Sequence, residues 1–258
     1  MSTYPDYVAR FYDVIYRQVR DAADKPYYVN KLVSCKGTSL EVGVGTGRIF
    51  LEALDRGADV YGADSSAEML GVLLKKLEPR HRHRVFQSDL VTMELGKRFH
   101  LIIAPFRVLS HIVDVDDQIR ALNRVHDHLL PGGVFIFDLY VPNLKLLLDG
   151  LPPTVDFDGE YTPGKRLRRT TSATSDLITQ TTSVTMTFDW EDEKGQHSQD
   201  WAFPMRFFFR YELEHLIARS KLELKAIYGD FLESALDSGS KEFIVHCARP
   251  GSRRRQRI

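Results

Sequence analysis

Cysteine is scarce: Cys35 and Cys247 are the only two in 258 residues, and they stand far apart. Two distant thiols make neither a disulfide-stapled scaffold nor a closely spaced metal set, and a reduced, cytoplasmic protein is expected. Net charge is missing too. The 35 basic and 35 acidic residues give a formal charge of zero, so no global field draws the chain to nucleic acid or an anionic membrane. No apolar run approaches the ~20 residues that span a bilayer. The opening residues lack a basic stretch followed by an apolar one, so no export signal is expected. The local exception is the tail Arg253-Arg254-Arg255-Gln256-Arg257. It is expected to be a disordered, solvated end over 251–258. A nucleic-acid arm would need basic residues interleaved with aromatics elsewhere, and the chain lacks them. His81 and His83, in Arg80-His81-Arg82-His83-Arg84, suit a surface turn and have no Cys or Asp partner nearby, so no metal is expected.

What is present is a regular alternation. Residues 7–34 predict helix, with Val8, Phe11, Tyr12, Ile15 and Tyr16 at helical spacing and Pro26 opening a second helix in its first turn. Strands are expected at 38–42, 59–63, 84–87, 100–104 and 134–138. Helices are expected at 48–56, 67–77 and 116–130, with Pro131-Gly132-Gly133 as a stop and turn. This pattern argues for an α/β fold, a parallel sheet with helices on both faces. After about residue 150 the texture changes to Thr, Ser, Val and aromatics. Antiparallel strands are expected at 166–172, 177–190 and 199–209, then a helix at 210–220 and closing strands at 224–228 and 242–247. The expected units are an N-terminal helical lid over 1–37 and a core over 38–149 and 210–250. A β-rich insertion over 150–209, covering substrate or pairing two copies, lies between the fifth and sixth core strands.

The most informative stretch is Thr38-Ser-Leu-Glu41-Val-Gly43-Val-Gly45-Thr-Gly47, a short apolar strand running into a glycine turn. Glycines there let backbone approach a ligand that no side chain could meet. A phosphate-binding loop would continue Gly-Lys-Ser/Thr, but Arg48 and Ile49 follow. A dinucleotide site would place a third small residue where Arg48 stands. A tight turn without a ligand is a further reading of the glycines alone. Two acids sharpen the choice. Asp64 ends the second strand and can accept from ribose hydroxyls, and Asp89 ends the third and can accept from an adenine amine. Asp64 is also a plain helix N-cap candidate.

Taken with Val60-Tyr-Gly-Ala-Asp64-Ser65-Ser-Ala-Glu-Met69-Leu70, Gln87-Ser-Asp89-Leu90 and Leu129-Leu-Pro-Gly-Gly-Val-Phe-Ile-Phe-Asp138, the glycine segment resembles class I S-adenosylmethionine-dependent methyltransferases. The resemblance covers roughly 8–140 and the last two strands. It implies a Rossmann-like, doubly wound, seven-stranded sheet whose last strand is antiparallel. It also implies S-adenosylmethionine as cofactor, held by Tyr16, Glu41, Gly43, Gly45, Arg48, Asp64, Ser65, Met69, Asp89 and Leu90. More narrowly, Phe11–Tyr16, Ala104–His111 and Tyr228–Phe231 are similar to small-molecule methyltransferases with a β-sheet insertion, a group that includes aminosugar N-methyltransferases.

On the acceptor side, Tyr12, Phe106, Arg107 and Phe207 are expected to face a small-molecule substrate. Aromatic faces attract a sulfonium or methylammonium by ~0.5–2 kcal/mol each. His111 is the candidate general base, because an unperturbed imidazole suits that task at neutral pH. The expected reaction is methyl transfer to nitrogen or oxygen of a small molecule. The alternatives are a cofactor-binding protein without transfer and an RNA methyltransferase. A homodimer through exposed strand edges of the insertion is a further expectation.

Overall fold

The computed structural model describes residues 4–19 and 24–250, the side chains at 18 and 19 aside. The expected basic tail lies outside the described residues.

The seven-stranded sheet is built from β1 (Ser39–Val42), β2 (Val60–Asp64), β3 (Val85–Gln87), β4 (Phe99–Ala104), β5 (Leu129–Tyr140), β10 (Glu223–Tyr228) and β11 (Glu242–Ala248). Their order is β10-β11-β5-β4-β1-β2-β3. Strand β11 runs antiparallel to both neighbours, and the pairs among β1 to β5 are parallel. Between β1 and β4 the strand order reverses. In open α/β sheets a ligand crevice forms outside the carboxyl ends at such a point.

Alternation along each strand sends side chains to two cores. On one face, α2 (Asp24–Ser34), α3 (Phe50–Asp55) and α4 (Ala67–Lys76) bury Tyr28, Phe50 and Leu73 against Val60, Leu101, Ile103 and Ile136. On the other, α5 (Val115–His128) and α7 (Arg210–Arg219) bury Leu122, Val125 and Ile217 against Leu40, Ile102, Phe135 and Phe137. Each such side chain contributes about 1.5–3 kcal/mol on burial.

Between β5 and β10 the chain makes a short helix, α6 (Leu144–Asp149), and an antiparallel sheet of β6 (Leu151–Thr162), β7 (Lys165–Asp176), β8 (Thr181–Asp192) and β9 (Gly195–Arg206). Helix α1 (Asp6–Val19) lays Val8, Phe11 and Ile15 on the inner face of this sheet, against Phe157, Leu167, Phe188, Trp201 and Phe203. The two N-terminal helices therefore part: α2 belongs to the main sheet and α1 to the second one.

Several expected boundaries are corrected. Pro131-Gly132-Gly133 does not separate a helix ending at 130 from a strand starting at 134. Strand β5 begins at Leu129, and the three residues are absorbed where the register jumps from Phe99↔Leu129 to Leu101↔Val134. The second sheet has four strands where three were expected. Its first, β6, carries Pro152, Pro153 and Gly159, which read as loop residues but are tolerated on an edge strand. Leu177 lies in the β7–β8 turn, not in a strand: the Asp176 carboxylate accepts from the Ile178 and Thr179 N–H groups there.

Candidate active site

Gly43 and Gly45 leave the end of β1 with φ of 70° and 54°, conformations an L side chain rarely adopts. A Cβ on Gly43 would sit 2.4 Å from Val108 Cγ2. The turn is fixed from below. Gly43 N–H and Val44 N–H donate to Ala63 O at 2.8 and 3.1 Å. Asp64 holds it from the side: Oδ2 accepts from Gly45 N–H at 2.8 Å and Oδ1 from Ser66 N–H at 2.9 Å. Burial pushes the Asp64 carboxyl up, and these backbone donors oppose the shift. Two bonds leave further acceptor positions on the carboxylate for a ligand. Asp64 is not the cap of α4; Ser66 is, its hydroxyl accepting from Met69 N–H at 3.1 Å.

Glu41 points from β1 into the same cleft. It is 3% exposed, and its Oε2 has no protein partner. Burial pushes its pKa up to about 8, against the lowering effect of Arg48. Arg48 also lines the cleft, and its half-buried guanidinium pairs with the buried Asp24. Nη1 reaches Asp24 Oδ1 at 3.1 Å and Nη2 reaches Oδ2, tying α2 to the turn. Helix α1 reaches the turn as well. Thr46 Oγ1 donates to Asp13 Oδ1 at 2.6 Å, and Lys76 Nζ bonds both Asp13 Oδ2 and, at 2.9 Å, Thr46 O.

The resulting cleft opens at the carboxyl ends of β1 and β2. It gathers Glu41, Gly43, Gly45, Arg48, Asp64, Ser65, Met69 and Leu90, with Tyr12, Phe106 and His111 across from them. Asp89 does not line it. Its Oδ1 accepts from Val91 N–H at 2.7 Å, and Ser88 and Leu90 face the cleft instead. Tyr16 is also outside this cleft; it lines the neighbouring cavity.

That second cavity lies between α1, the loop after β4 and the inner face of the second sheet. Tyr12, Tyr16, Phe106, Arg107 and His111 line it, with Phe188, Trp201, Phe203 and Met205. Tyr4, Tyr12, Phe106 and His111 line both spaces and form the boundary between them. Phe207, expected at the substrate, lines neither. It is 1% exposed and follows the end of β9, where its N–H donates to Gln180 O at 3.0 Å. Trp201, Phe203 and Met205 take the cavity positions because alternate residues of β9 face inward.

His111 does not keep its ordinary pKa. Burial pushes it down to about 4, and its Nδ1 has no partner. The ring sits 5.5 Å from Phe203 and 6.4 Å from Tyr4. Arg107 turns to Glu242 Oε1 at 3.1 Å and lies over the Tyr140 ring.

Other site groups escaped the sequence reading. Tyr4 gave no periodic signal. Arg169 alternates with Leu167 and Thr171 on β7, which marks it as inward-facing. It is buried, bonds Asp156 through Nε and Nη2 at 2.9 Å each, and lies over Tyr16. Asp13 and Asp24 gave no local clue, since their partners are distant in sequence.

Residues 40–135 match the family model of a methyltransferase domain. The dTDP-3-amino-3,6-dideoxy-alpha-D-glucopyranose N,N-dimethyltransferase of Streptomyces fradiae is 26% identical over 142 residues. That match spans 53% of this chain and 54% of the relative, so about half the length of that protein. The glycine/sarcosine N-methyltransferase of Halorhodospira halochloris is 25% identical across 94% of this chain and 86% of its own. Among solved structures, the sugar N-methyltransferase KedS8 of Streptoalloteichus has the same fold. It has a TM-score of 0.75 at 20% identity, with 97% of each chain covered. An S-adenosylmethionine-dependent methyltransferase from Clostridium acetobutylicum gives 0.74 at 18%, covering 95% of this chain and 98% of that one.

Proposed function

We propose that this chain is a class I S-adenosylmethionine-dependent methyltransferase and that it methylates a nitrogen of a small polar molecule. The observation that carries the reading is the shared wall of Tyr4, Tyr12, Phe106 and His111. It separates a cleft suited to the cofactor from an aromatic cavity suited to an acceptor.

The cleft fits the cofactor by its own chemistry. Glu41 offers a buried, unpartnered Oε2 to an ammonium group. Asp64 and Ser65 offer acceptors to ribose hydroxyls, and Met69 and Leu90 an apolar seat for a base. A side chain on Gly43 would collide with Val108. When bound, the cofactor supplies a methyl group on a sulfonium sulfur, which an acceptor lone pair takes while the carbon–sulfur electron pair stays on sulfur. The chain's residues hold donor and acceptor together, and such positioning lowers a barrier by ~7–11 kcal/mol. Tyr12, Tyr16 and Trp201 line the acceptor cavity, and aromatic groups there favour a cationic product.

His111 supports nitrogen over oxygen as the acceptor. A hydroxyl acceptor needs a proton acceptor of pKa near the working pH. With its pKa at about 4, His111 is neutral but too weak a base for that task. An amine reacts through its own lone pair and needs only orientation, which a neutral imidazole supplies by hydrogen bonding. The Streptomyces fradiae and Halorhodospira halochloris relatives are both N-methyltransferases.

A homodimer belongs to the same proposal: β6 and β9 stand at the two edges of the second sheet and can pair with a copy. So does a cytoplasmic location, supported by free Cys35 and Cys247. The test of function is incubation with S-adenosylmethionine and a panel of aminosugars, amino acids and their hydroxy counterparts. Methylated amines are expected, with Asp64→Ala inactive. Methylated hydroxy compounds alone would overturn the choice of nitrogen.

A further inference from the structure

Phe106 and Arg107, in the loop after β4, both have left-handed backbone, with φ of 61° and 62°. Two consecutive non-glycine residues in this region carry strain, and such strain persists only where the surroundings hold it. Here the holding group is Asp138 on β5, 2% exposed. Its Oδ1 accepts from Phe106 N–H at 2.7 Å and its Oδ2 from Arg107 N–H at 3.2 Å. The Tyr28 hydroxyl of α2 donates to Oδ1 at 2.7 Å and fixes the carboxylate from below.

What this pins matters to the site. Phe106 lines the cofactor cleft, the acceptor cavity and the groove outside them. Its ring packs edge-on against Tyr16 at 5.4 Å. The next residues of the loop bring Val108 against Gly43 and His111 to the boundary wall. Released from Asp138, the pair would relax toward ordinary backbone angles, and the Phe106 ring would swing off that boundary.

We propose that Asp138 is a positioning residue for methyl transfer: its carboxylate holds Phe106 and Arg107 in left-handed backbone and so sets the wall between cofactor and acceptor. This rests on the methyltransferase reading above. Tyr28 assists by orienting the carboxylate. Neither side chain lines the cofactor cleft or the acceptor cavity, so each acts through the loop.

The test uses the full chain and two readouts. Amide hydrogen exchange over residues 104–109 reports the loop itself, with or without turnover. Acceptor KM and kcat report its consequence. In Asp138→Asn the amide NH₂ faces one of the two backbone donors, so at least one bond is lost. Exchange at Phe106 and Arg107 is expected to rise about tenfold or more, with exchange in β1 and β5 unchanged. Acceptor KM should rise by a similar factor. Tyr28→Phe, which keeps the carboxylate, should shift both in the same direction by about threefold.

Glycine adopts the left-handed region without strain. Asp138→Asn should therefore cost far less in an Arg107→Gly background than in an Arg107→Ala background, which keeps the strain. Unchanged exchange at 106 and 107 in Asp138→Asn overturns the proposal whatever the turnover. Lost protection with an unchanged acceptor KM, or equal losses in both backgrounds, overturns it as well. A native chain that makes no methylated product would instead sink the methyltransferase reading. The exchange result would still decide whether Asp138 holds the loop.

Discussion

Glu41 is the clearest case of a single residue poised for a ligand. Burial raises its pKa from 4.5 to about 8, so at pH 7 it is mostly protonated in the free protein. A bound ammonium favours the carboxylate. Binding of S-adenosylhomocysteine at pH 7 should then release protons, read by calorimetry in buffers of different ionisation enthalpy. Glu41→Gln should bind more weakly and release none. Proton release of equal size in both proteins would remove Glu41 from the site. The sign for stability runs the same way. The folded protein holds this proton between pH 4.5 and about 8 where the unfolded chain has lost it. Glu41 therefore subtracts stability as pH rises through that window.

His111 titrates in the opposite sense. Its pKa falls from 6.5 to about 4, so it remains neutral at every pH where an amine acceptor is free to react. His111→Asn should lower kcat/KM by about ten- to hundredfold, the worth of one strong orienting bond. The shape of the pH profile should not change. An inflection near 6.5 that vanishes in the variant would restore the general base expected from sequence. The sequence reading assumed an unperturbed imidazole, and the fold lowers that pKa for a physical reason. An imidazole's pKa depends on which distant side chains enclose it, and Phe203 and Tyr4 meet His111 only in the folded chain.

At the scale of elements, α1 is the piece that joins the two sheets to the site. Its apolar stripe is buried in the second sheet, while Asp13 reaches the glycine turn through Thr46 and Lys76. The latch is partly exposed, so it is worth about 1 kcal/mol. Asp13→Ala should speed dissociation of S-adenosylhomocysteine about five- to tenfold with little loss of thermal stability. Stopped-flow release rates check this, and an unchanged off-rate would show that α1 does not retain the ligand. Element by element, the main sheet was legible in the sequence. Leu101, Ile102 and Ile103 alternate between two apolar cores. The β6 strand was not legible, because Pro152 and Pro153 read as a break unless the strand is known to lie at an edge. The fate of α1 was not legible either, since periodicity gives an apolar face but not its partner.

For the whole molecule, the second sheet has consequences beyond one chain. Pairing through β6 or β9 would give a dimer, and light scattering should show twice the chain mass of 29.6 kDa. A clean monomer at high concentration would leave those edges unpaired. The central claim is methyl transfer to an amine, and it is tested most directly by mass spectrometry. The native chain is incubated with methyl-labelled S-adenosylmethionine and the paired amine and hydroxy panel. Label carried onto an amine, absent with Asp64→Ala, is the predicted result. Tight cofactor binding with no labelled product across the panel, or label on hydroxyls alone, would contradict it.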